Sequence, residues 1–257
     1  MTLSMDLRGK RGLVIGIANA QSIAFGCAKA FQAAGASLAM TYLNAKAEPY
    51  VRPLAQSLGA DILLPCDVEA PGQLEQLFAE ITHRWGKLDF VLHSIAYAPK
   101  DALHGRVIDC TAADFARAMN VSCHSFIRIA ALAEPLMKDG GCLQTVSFYG
   151  AEKVVPHYGI MGPVKAALEC TVRYMAAELG AQRIRVHAIS PGPIATRAAS
   201  GIDHFDELMA HAIASAPTHQ LVTIDQVGAF STYLASEAAS GLTGGVHYVD
   251  GGYNIQA

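Results

Sequence analysis

The sequence is short of charge. Only 16% of its 257 residues are Asp, Glu, Lys or Arg, and 19 basic residues against 22 acidic ones leave a net charge of −3. Such a balance offers no basic surface of the kind that nucleic acid or an anionic membrane requires, so neither partner is expected. Cysteine is sparse too. Six are dispersed, Cys27, Cys66, Cys110, Cys123, Cys142 and Cys170, with no CxxC pair among them. The spacing argues against zinc and dithiol motifs and fits free thiols in a reducing compartment. No stretch approaches the ~20 apolar residues of a membrane span. The opening residues, Met1 to Lys10, lack the apolar segment of a secretory signal, and a cytoplasmic location is expected. Histidine is the exception, with ten copies. The nearest helical pair, His204 and His211, lies two turns apart with no third ligand at a telling spacing, so no metal site is expected.

Linkers are missing as well. The length fits one α/β domain over residues 1–257 better than two independent ones. Hydrophobic residues make up 52% of the chain, which is apolar for a monomer and fits helix faces buried between subunits. A homo-oligomer, in the form of a homotetramer, is expected. Along the chain, short β-rich runs alternate with helical periodicity: strands at 12–17, 37–42, 61–65, 88–93, 142–147, 184–189 and 245–249, and helices at 23–34, 47–58, 73–85, 112–137, about 163–179, 205–214 and 224–234. Such alternation predicts a single-domain Rossmann fold, a doubly wound sheet of seven parallel strands. Ligands of that fold bind beyond the carboxyl ends of the strands. Small, polar or proline-rich sequence stands at five of those ends: Gly16, Asp67, His93 to Ala96, Ser147 to Tyr149, and Pro191 to Ile194.

The most informative stretch is Tyr158 to Lys165. It places a phenol and an amine seven residues apart at the entrance to a helix. On a regular helix that interval is about two turns, roughly 10 Å along the axis, too far for direct contact. Pro156, Gly159, Gly162 and Pro163 predict an irregular chain around Tyr158 that becomes helical near Pro163. The tyrosine then leans in from a loop, and an extended group such as a nucleotide ribose fits between phenol and amine. The first strand-to-helix turn, Gly16 to Ala24, has one glycine where a dinucleotide fingerprint has three, with small Ala20 and Ser22 in the other two places. Backbone N–H groups at the following helix start still suit a pyrophosphate, and the Ser22 hydroxyl can add a hydrogen bond.

Together with Cys66-Asp67-Val68, His93 to Ile95, Arg173 to Met175, Pro191 to Ile194, Ala198 to Ile202 and Val249 to Gly252, these motifs resemble the enoyl-acyl-carrier-protein reductases of bacterial fatty acid synthesis. Those enzymes are a branch of the short-chain dehydrogenase/reductase superfamily. The resemblance runs along nearly the whole chain. Its discriminating element is the seven-residue interval, since alcohol and ketone enzymes of the superfamily place the two residues four apart, where this chain has Met161.

The resemblance implies hydride transfer from NADH, with NADPH not excluded, to C3 of a trans-2-enoyl thioester carried on acyl carrier protein or CoA. Tyr158 and Lys165 become the catalytic pair. Gly16, Ser22 and Ile23 are implied at the pyrophosphate, Leu43 near the adenosine ribose, Asp67 and Val68 at the adenine, and Ile95 along the cofactor. Lys165 is implied at the nicotinamide ribose, and Ile194 and Thr196 at the nicotinamide. Ala98, Phe148 and Met161 are implied at the substrate, with a covering segment near 196–215. No acid ends the second strand to select a ribose hydroxyl, and Lys46 alone lies near enough in sequence to suggest a 2′-phosphate partner. Asn120 matches the superfamily's helix asparagine.

Two departures stand out. A second tyrosine, common in the family ten residues before the first, is replaced here by Phe148, with Tyr149 next to it as a possible substitute if the chain leaves the strand there. The segment after Ser200 carries Asp203, Asp206 and Glu207 where relatives often carry basic residues, which suits a CoA thioester over an acidic carrier, or equally a stabilised helix start. A carbonyl-reducing dehydrogenase and a non-catalytic nucleotide-binding protein remain as alternatives at this level.

Overall fold

The computed structural model describes residues 5–196 and 204–256. The Ala198 to Ile202 motif and Asp203 lie outside the described residues. In chain order the elements are β1 (Arg11–Ile15), α1 (Ile23–Ala33), β2 (Ser37–Tyr42), α2 (Glu48–Ser57), β3 (Ile62–Pro65), α3 (Gln73–Trp85), β4 (Phe90–His93) and α4 (Lys100–His104). Next come α5 (Ala112–Met119), α6 (Ser125–Ala133), β5 (Gly141–Val146), α7 (Met161–Leu179), β6 (Ile184–Pro191), α8 (Phe205–Ser215), α9 (Ile224–Ala235) and β7 (Val246–Val249).

The strands form one sheet in the order β3-β2-β1-β4-β5-β6-β7, parallel throughout. Strand residues alternate between its two faces. Leu13, Ile15 and Val91 pack with α3, α6 and α7 through Leu77, Phe126 and Leu168. Val14, Phe90 and Leu92 pack on the other face with α1, α2 and α9 through Phe31, Val51 and Leu234. Each such large side chain contributes about 1.5–3 kcal/mol by leaving water. Strand order reverses between β1 and β4, so the loops after them diverge and open a crevice at the carboxyl edge.

Three local features differ from the sequence reading. The helix expected over 112–137 is broken by a π-helical turn at Asn120–His124, and it ends in a 3-10 turn containing Pro135. The wider turn carries Ser122, whose hydroxyl accepts from the Tyr97 N–H and donates to the Tyr97 carbonyl, both at 2.9 Å. Here a tertiary demand from the loop after β4 overrides regular helical period. The short α4 was not expected, because five residues are too few to show periodicity. Finally, α7 begins at Met161, two residues before Pro163, and Tyr158 stands in the turn that leads into it.

Candidate active site

The turn after β1 is set by Gly16. Its φ is +109°, and an added Cβ would lie 2.0 Å from the Ser94 carbonyl oxygen in the loop after β4. Only glycine lets these two loops approach so closely at the switch point. Ser22 shapes the same turn through its side chain. Its Oγ accepts from the N–H groups of Ala18 and Asn19, each at 3.0 Å, and donates to Asn19 Oδ1 at 3.3 Å. The hydroxyl is thus committed to shaping the turn, and α1 starts at Ile23 with no side-chain cap. First-turn N–H groups left without a side-chain acceptor suit an anion such as a pyrophosphate.

Further along the same edge, Leu43 follows β2 and is 52% exposed. Asp67 follows β3, where its backbone N–H donates to Gln73 and its Oδ1 accepts from the Glu69 N–H. Val68 is buried and Ile95 half-buried, both against the α3–α6–α7 side of the core. These residues form a row across β1 to β4, outside the cavity that holds Tyr158.

That cavity, of about 340 Å³, lies beyond β4, β5 and β6. Tyr158, Met161 and Lys165 line it, together with Ile23, Ala98, Phe148, Ile194 and Thr196. The loop after β4 contributes Tyr97, and α8 contributes Phe205. Gly159, at φ +46°, permits the approach: a Cβ there would stand 2.3 Å from the Leu103 carbonyl of α4. The glycine after the tyrosine therefore seats the Tyr158 turn on α4.

Tyr158 is 8% exposed, and burial pushes its phenol well above the usual range, with the Glu169 carboxylate adding to the rise. It remains a proton donor at neutral pH. Lys165 is buried at 4% exposure, and its Nζ donates to the Val146 carbonyl at 2.6 Å. Burial pulls this ammonium down to about 8, with Glu169 opposing the fall. The lysine is cationic at neutral pH and close to the point of losing its proton.

Tyr149 leaves the strand as a 3-10 turn begins and lines a second, larger cavity of about 550 Å³. Its ring packs on Tyr253, with centroids 5.3 Å apart. The two cavities share a wall in which neighbours face opposite ways: Phe148, Tyr158 and Phe205 towards one, Tyr149, His157 and His204 towards the other. Asn120 opens the π-helical turn, and its Oδ1 lies 3.3 Å from His124 Nδ1. Among the described residues no cluster of His, Cys, Asp and Glu is able to hold a metal ion.

Sequence reasoning missed a buried polar layer beneath the site. His93 is fully buried, with Nδ1 on Thr145 Oγ1 and Nε2 on Ser125 Oγ, each at 2.8 Å. Ser125 gives its own proton to the Val121 carbonyl, so His93 donates from Nε2 and accepts at Nδ1. Burial lowers its pKa to about 3 and keeps it neutral. Glu169 was also missed, and Ser147 was marked only as strand-end sequence without its partner. The signal for Glu169 was present, since it falls on the apolar stripe of α7 with Val164, Leu168 and Val172.

A doubly wound parallel sheet, a glycine turn at its switch point and a buried Tyr and Lys at one cavity define a nucleotide-dependent oxidoreductase of the short-chain dehydrogenase/reductase type. Comparison with known proteins narrows the class. The family model described as "Enoyl-(Acyl carrier protein) reductase" matches residues 16–254. Enoyl-acyl-carrier-protein reductase (NADH) 1 of Rhizobium meliloti (strain 1021) is 48% identical over 96% of this chain and 91% of its own length. The crystal structure of the reductase from Anaplasma phagocytophilum in complex with NAD superposes with a TM-score of 0.94 at 45% identity, covering 99% of this chain and 97% of the other. That of the NADH enzyme from Aquifex aeolicus VF5 gives 0.94 at 44% identity, over 99% and 100%. The chain belongs to the enoyl-acyl-carrier-protein reductase family.

Proposed function

We propose that the protein reduces the 2,3 double bond of a trans-2-enoyl thioester in fatty acid elongation, with NADH as the hydride donor. The observation that carries this reading is the meeting of Tyr158 and Lys165, seven residues apart, at one buried cavity on the carboxyl edge of the sheet. When bound, the reduced nicotinamide supplies the hydride that C3 of the substrate accepts.

The chain's own residues bind, orient and stabilise. The uncapped start of α1 receives the pyrophosphate, behind the Gly16 turn. Asp67 and Val68 border the adenine, with Leu43 and Ile95 beside the adenosine and along the cofactor. Lys165 holds the nicotinamide ribose, and Ile194 and Thr196 flank the nicotinamide. Hydride arrival at C3 would leave negative charge on the thioester oxygen, discharged when C2 takes up a proton from solvent to give the saturated thioester. Tyr158 meets that charge with a hydrogen bond, and because its pKa is raised it donates without being deprotonated first. Ala98, Phe148 and Met161 wall the acyl group, and the segment around α8 covers it. Carbonyl reduction is disfavoured by Phe148, which stands in the place of the serine expected for that chemistry, and by the seven-residue interval from Tyr158 to Lys165.

NADH is preferred to NADPH, because the exposed Leu43 at the end of β2 offers nothing to a 2′-phosphate. The thioester is carried on acyl carrier protein or CoA; Asp206 and Glu207 in the first turn of α8 either slow the encounter with an acidic carrier or stabilise the helix start. The protein works in the cytoplasm as a homotetramer. Six free thiols support the first, and exposed Phe115, Ile127 and Tyr174 on α5, α6 and α7 the second. Nucleotide titration of two variants tests the division of roles: Lys165→Ala loses NADH affinity, and Tyr158→Phe keeps it. Equal impairment of both would refute that division.

A further inference from the structure

Lys165 and Glu169 stand one helical turn apart on α7, both nearly buried, at 4% and 5% exposure. Their polar atoms reach consecutive residues at the end of β5. Lys165 Nζ donates to the Val146 carbonyl at 2.6 Å, and the Ser147 hydroxyl donates to Glu169 Oε1 at 2.5 Å. Helix and strand are thus tied twice, once in each direction. Ser147 is itself buried and borders the cavity of Tyr158 and Lys165. A carboxylate on an apolar helix face is costly unless it is paired and hydrogen-bonded. Packing alone does not call for one, since Val164, Leu168 and Val172 fill the same stripe with aliphatic groups.

Resting on the enoyl reductase reading, we propose that Glu169 is a positioning residue, whose carboxylate holds Ser147 and faces Lys165 so that the ammonium stays aimed at the cofactor. Electrostatics point the same way. Burial lowers Lys165, and Glu169 is the leading influence against it. Burial raises the Glu169 carboxyl, opposed first by the Ser147 hydrogen bond and also by Lys165 and Arg173, while Glu152 adds to the rise.

The other groups facing the pair come from several elements. His93 on β4 is neutral, Cys123 in the π-helical turn is held as a thiol, and both Tyr158, in the turn before α7, and Tyr248, on β7, are held as phenols. Glu152 and Arg173, opposite in sign, are the remaining charges that act on Glu169 among the described residues.

The test is NADH affinity by fluorescence titration from about pH 6 to about pH 9.5, bracketing the lysine, in wild type, Glu169→Gln, Glu169→Asp and Ser147→Ala. Wild type that fails to bind NADH would count against the function itself, not against this role. With binding established, Glu169→Gln is expected to weaken it roughly fivefold near pH 8, because an uncompensated lysine loses its proton at lower pH. Melting temperature near wild type, and an alkaline limb restored by Glu169→Asp, mark the effect as electrostatic. Ser147→Ala moves the same limb by less: loss of its hydrogen bond frees and raises the Glu169 carboxyl, which then supports the lysine less, so affinity begins to fall at a lower pH than in wild type but a higher one than in Glu169→Gln. Profiles of Glu169→Gln and Ser147→Ala that both overlay wild type would overturn the proposal. If Glu169→Gln fails to fold, the alkaline limb of Ser147→Ala decides alone.

Discussion

Phe148 packs edge-on against Tyr158, with ring centroids 5.0 Å apart and planes inclined by 62°. Such a pair is worth about 0.5–1.5 kcal/mol beyond its buried area. The ring that stands where many relatives have a second tyrosine therefore acts here through contact, bracing the phenol from the side. Phe148→Ala is expected to lower kcat/KM for an enoyl thioester by about tenfold, the rate equivalent of ~1.4 kcal/mol. Tyr149→Phe, altering a ring on the far side of the shared wall, is expected to leave turnover unchanged. Steady-state kinetics on the two variants separate these roles.

Tyr158→Phe removes the donor to the developing oxyanion. A turnover loss of about 10²–10³ is expected, as for other single oxyanion donors, with NADH affinity close to wild type. The phenol's raised pKa means that wild-type activity does not fall on its account as pH passes the ordinary tyrosine range. Alkaline loss is expected instead near pH 8, as Lys165 gives up its proton, and appears as weakened NADH binding.

Gly16→Ala places a side chain on a left-handed backbone and against the Ser94 carbonyl. A loss of at least ~2 kcal/mol in unfolding free energy is expected, above the ~1–3 kcal/mol range's lower end for such strain alone. Urea denaturation measures it, and NADH binding is expected to fall with it.

His93 and His187 are both held neutral, each with a pKa lowered to about 3 by burial. Their unfolded forms take up protons below the usual histidine pKa near 6.5 while the folded forms do not. Stability is therefore full above pH ~6.5 and lost as pH falls towards 3, with a slope of up to ~1.4 kcal/mol per pH unit for each histidine. A His93→Asn variant is expected to be less stable at neutral pH but to lose less on acidification. Thermal melts across that window decide the matter.

Much of this was legible in the sequence, for identifiable reasons. Ser37–Tyr42 and Gln73–Trp85 begin and end where the alternation of β-rich runs and helical periodicity predicted, because the strand is buried on both faces inside the sheet and the helix packs one apolar face on it. Glycines near Tyr158 signalled an irregular entry to α7, and the structure adds why: Gly159 must touch α4. The π-helical turn could not be read from local pattern, because Ser122 departs from helical period to bind Tyr97, 25 residues earlier in the chain. The same holds for His93 and Thr145, and for Ser147 and Glu169, which meet only after the sheet has formed. Ser22 shows the converse, since its place at the helix start was plain while the direction of its hydrogen bonds was not.

The carrier question turns on charge. If Asp206 and Glu207 repel an acidic carrier, the double variant Asp206→Lys/Glu207→Lys is expected to raise kcat/KM on an acyl-carrier substrate while leaving the CoA substrate little changed. The gain should shrink as salt is added. Equal effects on both substrates would assign these acids to stabilising the α8 start instead.

The most direct test of the account is oxidation of NADH by the purified protein with a medium-chain trans-2-enoyl-CoA, run beside Tyr158→Phe. Turnover in wild type, with the saturated thioester as product, and its loss in a variant that still binds NADH is the expected result. Wild-type protein that binds NADH yet reduces neither the CoA substrate nor its acyl-carrier form, or a Tyr158→Phe variant with undiminished turnover, would contradict it.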